Sequence, residues 1–173
     1  MATQARAVVL ALGSNLGDRR DILQGGVDAI AGIEGVRVTG ASPVYETVPV
    51  GGPPQPDYLN AVVLADVTIP SRELLDRLHE VEAAFDRVRV VRWGPRTLDI
   101  DIIAVAGEHS DDPDLTLPHP RAHERAFVLA PWHDADPGAV LPGHGPVAEL
   151  LAHVDQSGIR RSGEPLVVME AGS

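Results

Sequence analysis

The stretch Thr97 to Ala106 reads TLDIDIIAVA. Its apolar residues alternate with polar ones at the start and then run on, which is a strand pattern, not a helical one. On a strand, Leu98, Ile100 and Ile102 go to one side, and Asp99 and Asp101 share the other. The two aspartate Cα atoms are then roughly 6.6 Å apart at ~3.3 Å rise per residue. Two carboxylates side by side on a strand repel each other, and a divalent cation relieves that. Mg²⁺ is typically held by one or two carboxylates, with water and phosphate oxygens completing its shell. The same pattern also fits a half-exposed strand with solvated acids.

Three strands and two helices precede this one. Arg6 to Leu12 (RAVVLAL) is a short apolar run entering a Gly-Ser-Asn turn. Asp18 then caps a helix, with Asp21 in the capping-box position. Leu23, Val27 and Ile30 follow at helical spacing, and Gly32 and Gly35 stop the helix. Val36 to Thr47 is a second strand, interrupted near Pro43. The segment VPVGGPPQP at 48–56 holds four prolines and two glycines and is a loop. Tyr58 to Ile69 is a third strand. Ser71 caps a helix whose apolar face is Leu74, Leu75, Leu78, Val81 and Phe85. Residues 86–95 (DRVRVVRWGP) are an Arg-rich loop or frayed hairpin.

The order β-α-β-β-α-β assigns the α+β class and a ferredoxin-like sandwich, an antiparallel sheet with helices on one face. Beyond it, GEHSDDPD is an acidic loop, LTLPHP an extended piece, Arg121 to Trp132 a short helix and Val147 to Val154 a second one. Leu166 to Met169 either adds an edge strand or stays loose. A single domain over 1–158 with a C-terminal tail at 159–173 accounts for the length of 173 residues.

Composition narrows the chemistry. Cysteine is absent, and all 14 basic residues are arginine. That excludes disulfides, thiolate nucleophiles, Schiff bases and a P-loop lysine. A net charge of −11 disfavours non-specific nucleic-acid binding. No run is long enough for a membrane span or signal core. The expectation is a cytoplasmic monomer without nucleic-acid or membrane partners.

Against this acidic background, Arg87, Arg89, Arg92 and Arg96 cluster just before Asp99. Guanidinium forks match phosphate oxygens bidentately. Carboxylates, metal and arginines together compose a nucleoside-triphosphate site, although the arginines could also simply neutralise surface acids. Tyr58 and Asn60 share a strand face, where a ring and a carboxamide can hold a flat heterocycle; a packed strand start is the plainer reading. His119 and His123 are spaced i, i+4, but the flanking Pro118 and Pro120 argue against a helical metal pair.

The motifs GSNLG at 13–17, PDYLN at 56–60, RWGPRTLDIDI at 92–102 and LTLPHPRAHERAFVL at 115–129 resemble, in order, the 6-hydroxymethyl-7,8-dihydropterin pyrophosphokinase family of the folate pathway. The resemblance implies Mg-dependent transfer of the β,γ-diphosphate of ATP to the pterin hydroxymethyl group, with release of AMP. It implies two Mg²⁺ ions at Asp99 and Asp101, and Arg87 and Arg96 closing over the triphosphate. ATP would meet Glu82, Arg89, Trp93, Ile102, Thr116, His119 and Arg125. The pterin would meet Gly13, Thr47, Val48, Val50, Tyr58, Asn60, Trp93 and Phe127, its ring lying between Tyr58 and Phe127. The loop between Glu82 and Trp93 is one residue shorter than in one familiar version of the family. Asp114 stands where some carry a base, and His79 where a glutamine can sit near the adenine. A non-catalytic module of the same fold and a different D-x-D transferase are the rival classes.

Overall fold

A computed structural model describes residues 4–15, 18–48, 57–85 and 97–168. The elements are β1 (Arg6–Ser14), α1 (Arg19–Ala31), β2 (Val36–Ala41), β3 (Val44–Thr47), β4 (Tyr58–Val67), α2 (Ser71–Phe85) and β5 (Asp99–Val105). After these come β6 (Ser110–Asp112), β7 (Leu115–Leu117), α3 (Ala126–Ala135), β8 (Val140–Leu141), β9 (Gly145–Pro146), α4 (Val147–His153) and β10 (Ile159–Gly163).

The main sheet runs β10-β3-β4-β1-β5, with β2 also paired to β4, and every pairing in it is antiparallel. This is the expected α+β arrangement. The interruption near Pro43 divides the second strand into β2 and β3, both lying along β4. Ser42 bridges them: its N–H donates to the Val62 carbonyl, and its hydroxyl accepts from the Val62 N–H at 2.9 Å.

Local chemistry sets the helix ends. The Asp18 carboxylate caps α1 by accepting from the Asp21 N–H at 3.2 Å. Gly35 turns the chain into β2 at φ +88°, where a Cβ would meet Ile69 Cγ2 at 2.7 Å. Only glycine fits that turn. Ser71 is the first residue of α2 and not its cap. Its hydroxyl donates to Glu108 Oε1 at 2.6 Å.

The two helices of the β-α-β-β-α-β unit lie on one face of the sheet, as expected, and the later helices cover the other. Leu10, Leu12, Val63 and Ile100 pack against α1 and α2 through Leu23, Val27, Ile30, Leu74 and Leu78. On the opposite face, Val62, Ile103 and Ala104 pack against α3 and α4 through Val128, Leu129, Trp132 and Val147. The C-terminal additions therefore build a second core, and Leu117 and Leu166 also join the first.

Four further boundaries differ from the sequence reading. The acidic loop contains β6, which pairs with β7 as a hairpin. The helix expected from Arg121 is a 3-10 turn at Ala122–Glu124 followed by α3, with Arg125 extended between them at φ −109°, ψ 105°. The edge strand is β10, paired with β3, whereas residues 164–168 form no strand. α4 ends at His153. Residues 49–56 and 86–96 and Met169, which figured in three of the sequence expectations, lie outside the described residues.

Candidate active site

The strand parity read from TLDIDI holds. Ile100 and Ile102 enter the α1/α2 core, and Asp99, half-buried, and Asp101, exposed, stand on the other face of β5. Further along the strand the register slips: Val9 faces Ala104, while Leu10 faces Ile102. Ile103 is thus the extra residue of a bulge. Its carbonyl accepts the His119 N–H at 2.8 Å, which fixes the chain after β7 beside the aspartate pair.

A cavity of about 560 Å³ opens at this place. Asp99, Asp101, Ile102, Thr116, His119 and Glu82, all expected on the nucleotide side, line it. His79 and Asp114, the two departures noted in the sequence, line it as well. Glu82 Oε2 accepts the Ile100 N–H at 2.7 Å, so this carboxylate ties α2 to β5. The Thr116 hydroxyl donates to the Asp112 carbonyl at 2.9 Å.

His119 Nδ1 accepts the Arg121 N–H at 3.2 Å, which leaves the proton of a neutral ring on Nε2. Burial lowers the His119 pKa, and the nearby Arg125 and Arg121 act in the same sense; the Asp101 carboxylate opposes them. The ring is therefore a neutral donor near neutral pH. His123 is not its metal partner. It stacks on His144, ring centroids 4.1 Å apart and planes 9° from parallel.

The second group of expected residues lies on the same sheet face. Tyr45 faces Asn60, Asn60 faces Gly13, and Gly13 faces Asp99. One row thus crosses four strands. Thr47 faces Tyr58 in the next row. Gly13 is the gap in the first row: a Cβ there would stand 3.0 Å from Asn60 Nδ2 and 3.6 Å from Tyr58 Cδ1. Asn60 is 8% exposed, and its Oδ1, like Thr47 Oγ1, is buried with no hydrogen-bond partner among the described residues. Leaving such an atom unpaired costs about 1–3 kcal/mol.

Phe127 sits at the start of α3, half-buried against the second core, with the Arg125 guanidinium 5.5 Å from its ring centroid. Val48 is 54% exposed just beyond β3. Val50, Arg87, Arg89, Trp93 and Arg96 lie outside the described residues. Tyr45 was missed by sequence reasoning. The signal was available, because Tyr45 precedes Thr47 by two positions on one strand and so shares its face.

Two carboxylates at alternating positions on one strand face, opening into a polar cavity, suit a hard cation that keeps other oxygen ligands. Among the described residues no group of three or more histidine, cysteine, aspartate or glutamate side chains is placed to hold a metal. The fit is thus to a shared site, completed by substrate oxygens. No helix among the described residues is long and apolar enough to cross a membrane.

A family model described as 7,8-dihydro-6-hydroxymethylpterin-pyrophosphokinase matches residues 9–137. The chain is similar to proteins called 2-amino-4-hydroxy-6-hydroxymethyldihydropteridine pyrophosphokinase. In Methylorubrum extorquens the identity is 44% over 152 residues, 88% of this chain and 96% of that protein. In Mycobacterium tuberculosis H37Rv it is 46% over 161 residues, 86% of this chain and 84% of that protein. Among solved structures, a Plasmodium falciparum HPPK-DHPS triple mutant with pteroate matches with a TM-score of 0.67 at 14% identity, over 92% of this chain and 47% of that one. The wild-type protein with pterin and p-hydroxybenzoate gives 0.64 at 16% identity, over 87% and 43%. This chain spans less than half of those two, and the likeness shows a shared fold.

Proposed function

This chain belongs to the 7,8-dihydro-6-hydroxymethylpterin-pyrophosphokinase family, a family of transferases in folate synthesis, and from that premise we propose that it moves the β,γ-diphosphate of ATP to the hydroxymethyl group of 6-hydroxymethyl-7,8-dihydropterin. The hydroxyl oxygen attacks the β-phosphorus. The bond from that phosphorus to the oxygen bridging it to the α-phosphorus breaks, AMP leaves with the electron pair, and the hydroxyl proton goes to solvent.

The row Tyr45–Asn60–Gly13–Asp99 carries this reading. Adjacent strands stand about 4.8 Å apart, so Asn60 and Asp99, two strands apart, are roughly 10 Å from each other at the backbone. That distance suits a heterocycle held at one end and a phosphate held at the other, with a one-carbon arm between them. Gly13 leaves the path between them clear. Asn60 Oδ1 and Thr47 Oγ1 are acceptors waiting for the polar edge of a ring, and Tyr58 and Phe127 supply flat apolar surface.

On the nucleotide side, Asp99 and Asp101 would hold two Mg²⁺ ions, which when bound would offset phosphate charge and orient the triphosphate. His119 Nε2–H donates to a phosphate oxygen, and Arg125 adds positive charge from the foot of α3. Ile102 and Leu75 give the cavity apolar wall for a base. We assign Arg87, Arg89 and Arg96 to the triphosphate and Trp93 to both substrates.

The test is to incubate the chain with Mg-ATP and the hydroxymethyl dihydropterin and to identify the nucleotide product. AMP is expected in equal amount to the pterin diphosphate. ADP in its place contradicts pyrophosphoryl transfer.

A further inference from the structure

The pocket assigned to the heterocycle is built from β3, β4 and α3; β3 is laddered to β4, and α3 packs on β4 through the second core, but neither contact ties β3 directly to α3. β10 does so from outside, with two successive arginines. Arg160 faces Glu46 and Arg161 faces Tyr45 across the β10–β3 ladder, so the two side chains leave on opposite faces of the sheet.

On one face, Arg161 donates to Asp134 Oδ2 at 2.9 Å, and the Tyr45 hydroxyl donates to the same oxygen. The Arg161 guanidinium also lies 5.9 Å from the Tyr45 ring centroid. Asp134 belongs to α3, the helix whose second residue is Phe127. Burial, with help from the Asp134 hydrogen bond, holds the Tyr45 pKa above its usual range, so the hydroxyl stays a donor. On the other face, Arg160 donates to Glu46 Oε1. Glu46 Oε2 is 3.3 Å from Arg19 Nη2, and Arg19 Nη1 donates to the Asp57 carbonyl at 2.7 Å. Asp57 immediately precedes Tyr58. The chain entering β10 adds one more tie, the Val48 N–H to the Gly158 carbonyl at 3.0 Å.

We propose that Arg160 and Arg161 are positioning residues for the heterocycle: a two-sided clamp that fixes Thr47, Tyr58, Asn60 and Phe127 relative to one another. The proposal rests on the pyrophosphokinase reading for its ligand. Neither arginine lines the nucleotide cavity, so the clamp acts on one substrate only. Ion pairs this near the surface add little to global stability, and what they supply here is geometry. A pocket loosened by a fraction of an ångström loses binding to a rigid flat ligand.

The experiment compares the full chain with R160A, R161A and the double variant. Four quantities are measured: KM for the hydroxymethyl dihydropterin, KM for Mg-ATP, kcat, and the Kd of oxidised 6-hydroxymethylpterin by fluorescence titration. In the double variant the pterin KM and Kd should rise about tenfold, the effect of one lost charge-assisted interaction, while KM for ATP stays within about twofold. R161K should recover only part of the loss, because it restores charge without the planar fork. A folded double variant with unchanged pterin Kd overturns the clamp. So does an equal rise in both KM values, which marks a merely structural role.

If the double variant does not fold, E46Q and D134N each break one half of the clamp and are read in the same way. Hydrogen exchange at Tyr58 to Asn60 and at Phe127 separates the clamp from the reading beneath it. If the wild-type chain neither binds nor turns over pterin, the functional reading fails. Faster exchange in the variants still supports the clamp, and unchanged exchange defeats it.

Discussion

The two halves of the candidate site are built on opposite plans. The nucleotide side is an open polar cavity, assembled from one strand end, one face of α2 and the hairpin β6–β7. Of its aspartates, Asp101 is exposed and Asp99 half-buried. The heterocycle side is made of strand residues in direct register, with buried acceptors unpaired among the described residues and ion pairs on both faces of the sheet behind it. A flexible, highly charged triphosphate can be gathered by charge from an open surface. A flat neutral ring has to be met by preformed geometry. The strand register joins the two halves at Gly13 and Asp99.

Substitutions that affect one half and spare the other sharpen this contrast, and any that strike both halves break it. D99A and D101A should have the largest effect, each lowering turnover by about 10³-fold or more, as expected when several kcal/mol of charge stabilisation is lost. Isothermal titration with an oxidised pterin should find the ring still bound without nucleotide; loss of that binding would mean the halves are not separate. N60A comes next. It removes the amide facing Gly13 and should weaken pterin binding by about 10- to 100-fold, the range for a buried polar contact, with KM for ATP unchanged.

G13A follows. Its methyl group would press on Asn60 Nδ2 at 3.0 Å, and steady-state kinetics should show a pterin KM raised by about tenfold, one such displaced contact. The smallest effect is expected from H119A. The loss of one donor to phosphate should raise KM for ATP by roughly three- to tenfold and leave pterin Kd alone. A shift in pterin Kd of the same size would remove His119 from the nucleotide side.

Much of this architecture is legible in the sequence, because the relevant signals are local. Alternation in TLDIDI places Asp99 and Asp101 on one face without any structure. Likewise Leu23, Val27 and Ile30 reveal the buried side of α1, and all three are at most 1% exposed. What the sequence hides depends on distant partners. Ile159–Gly163 (IRRSG) has no apolar alternation. It becomes a strand because β3 offers an open edge and because Glu46 and Asp134 receive its arginines. Ser110–Asp112 (SDD) is polar throughout and is a strand only as half of a hairpin.

The second face of the sheet was hidden for a related reason. The run AFVLAPW at 126–132 is apolar nearly all round, as in a helix buried on several sides, and gives no direction from which to tell which face of the sheet it covers. The break at Arg125 is equally silent, since no glycine or proline marks it. In the candidate site, the strand-borne residues were readable from parity. The bulge at Ile103, which brings His119 beside the aspartates, was not, because a bulge is a property of two strands and not of one.

The most direct measurement is a crystal structure of the chain with 6-hydroxymethylpterin and a non-hydrolysable ATP analogue with Mg²⁺. The ring should lie against Tyr58 with its polar edge on Asn60 and Thr47, its hydroxymethyl group pointing across Gly13 toward a β-phosphate beside Asp99. A pterin bound anywhere off this row, or a triphosphate whose β-phosphorus lies away from Asp99 and Asp101, would contradict the account.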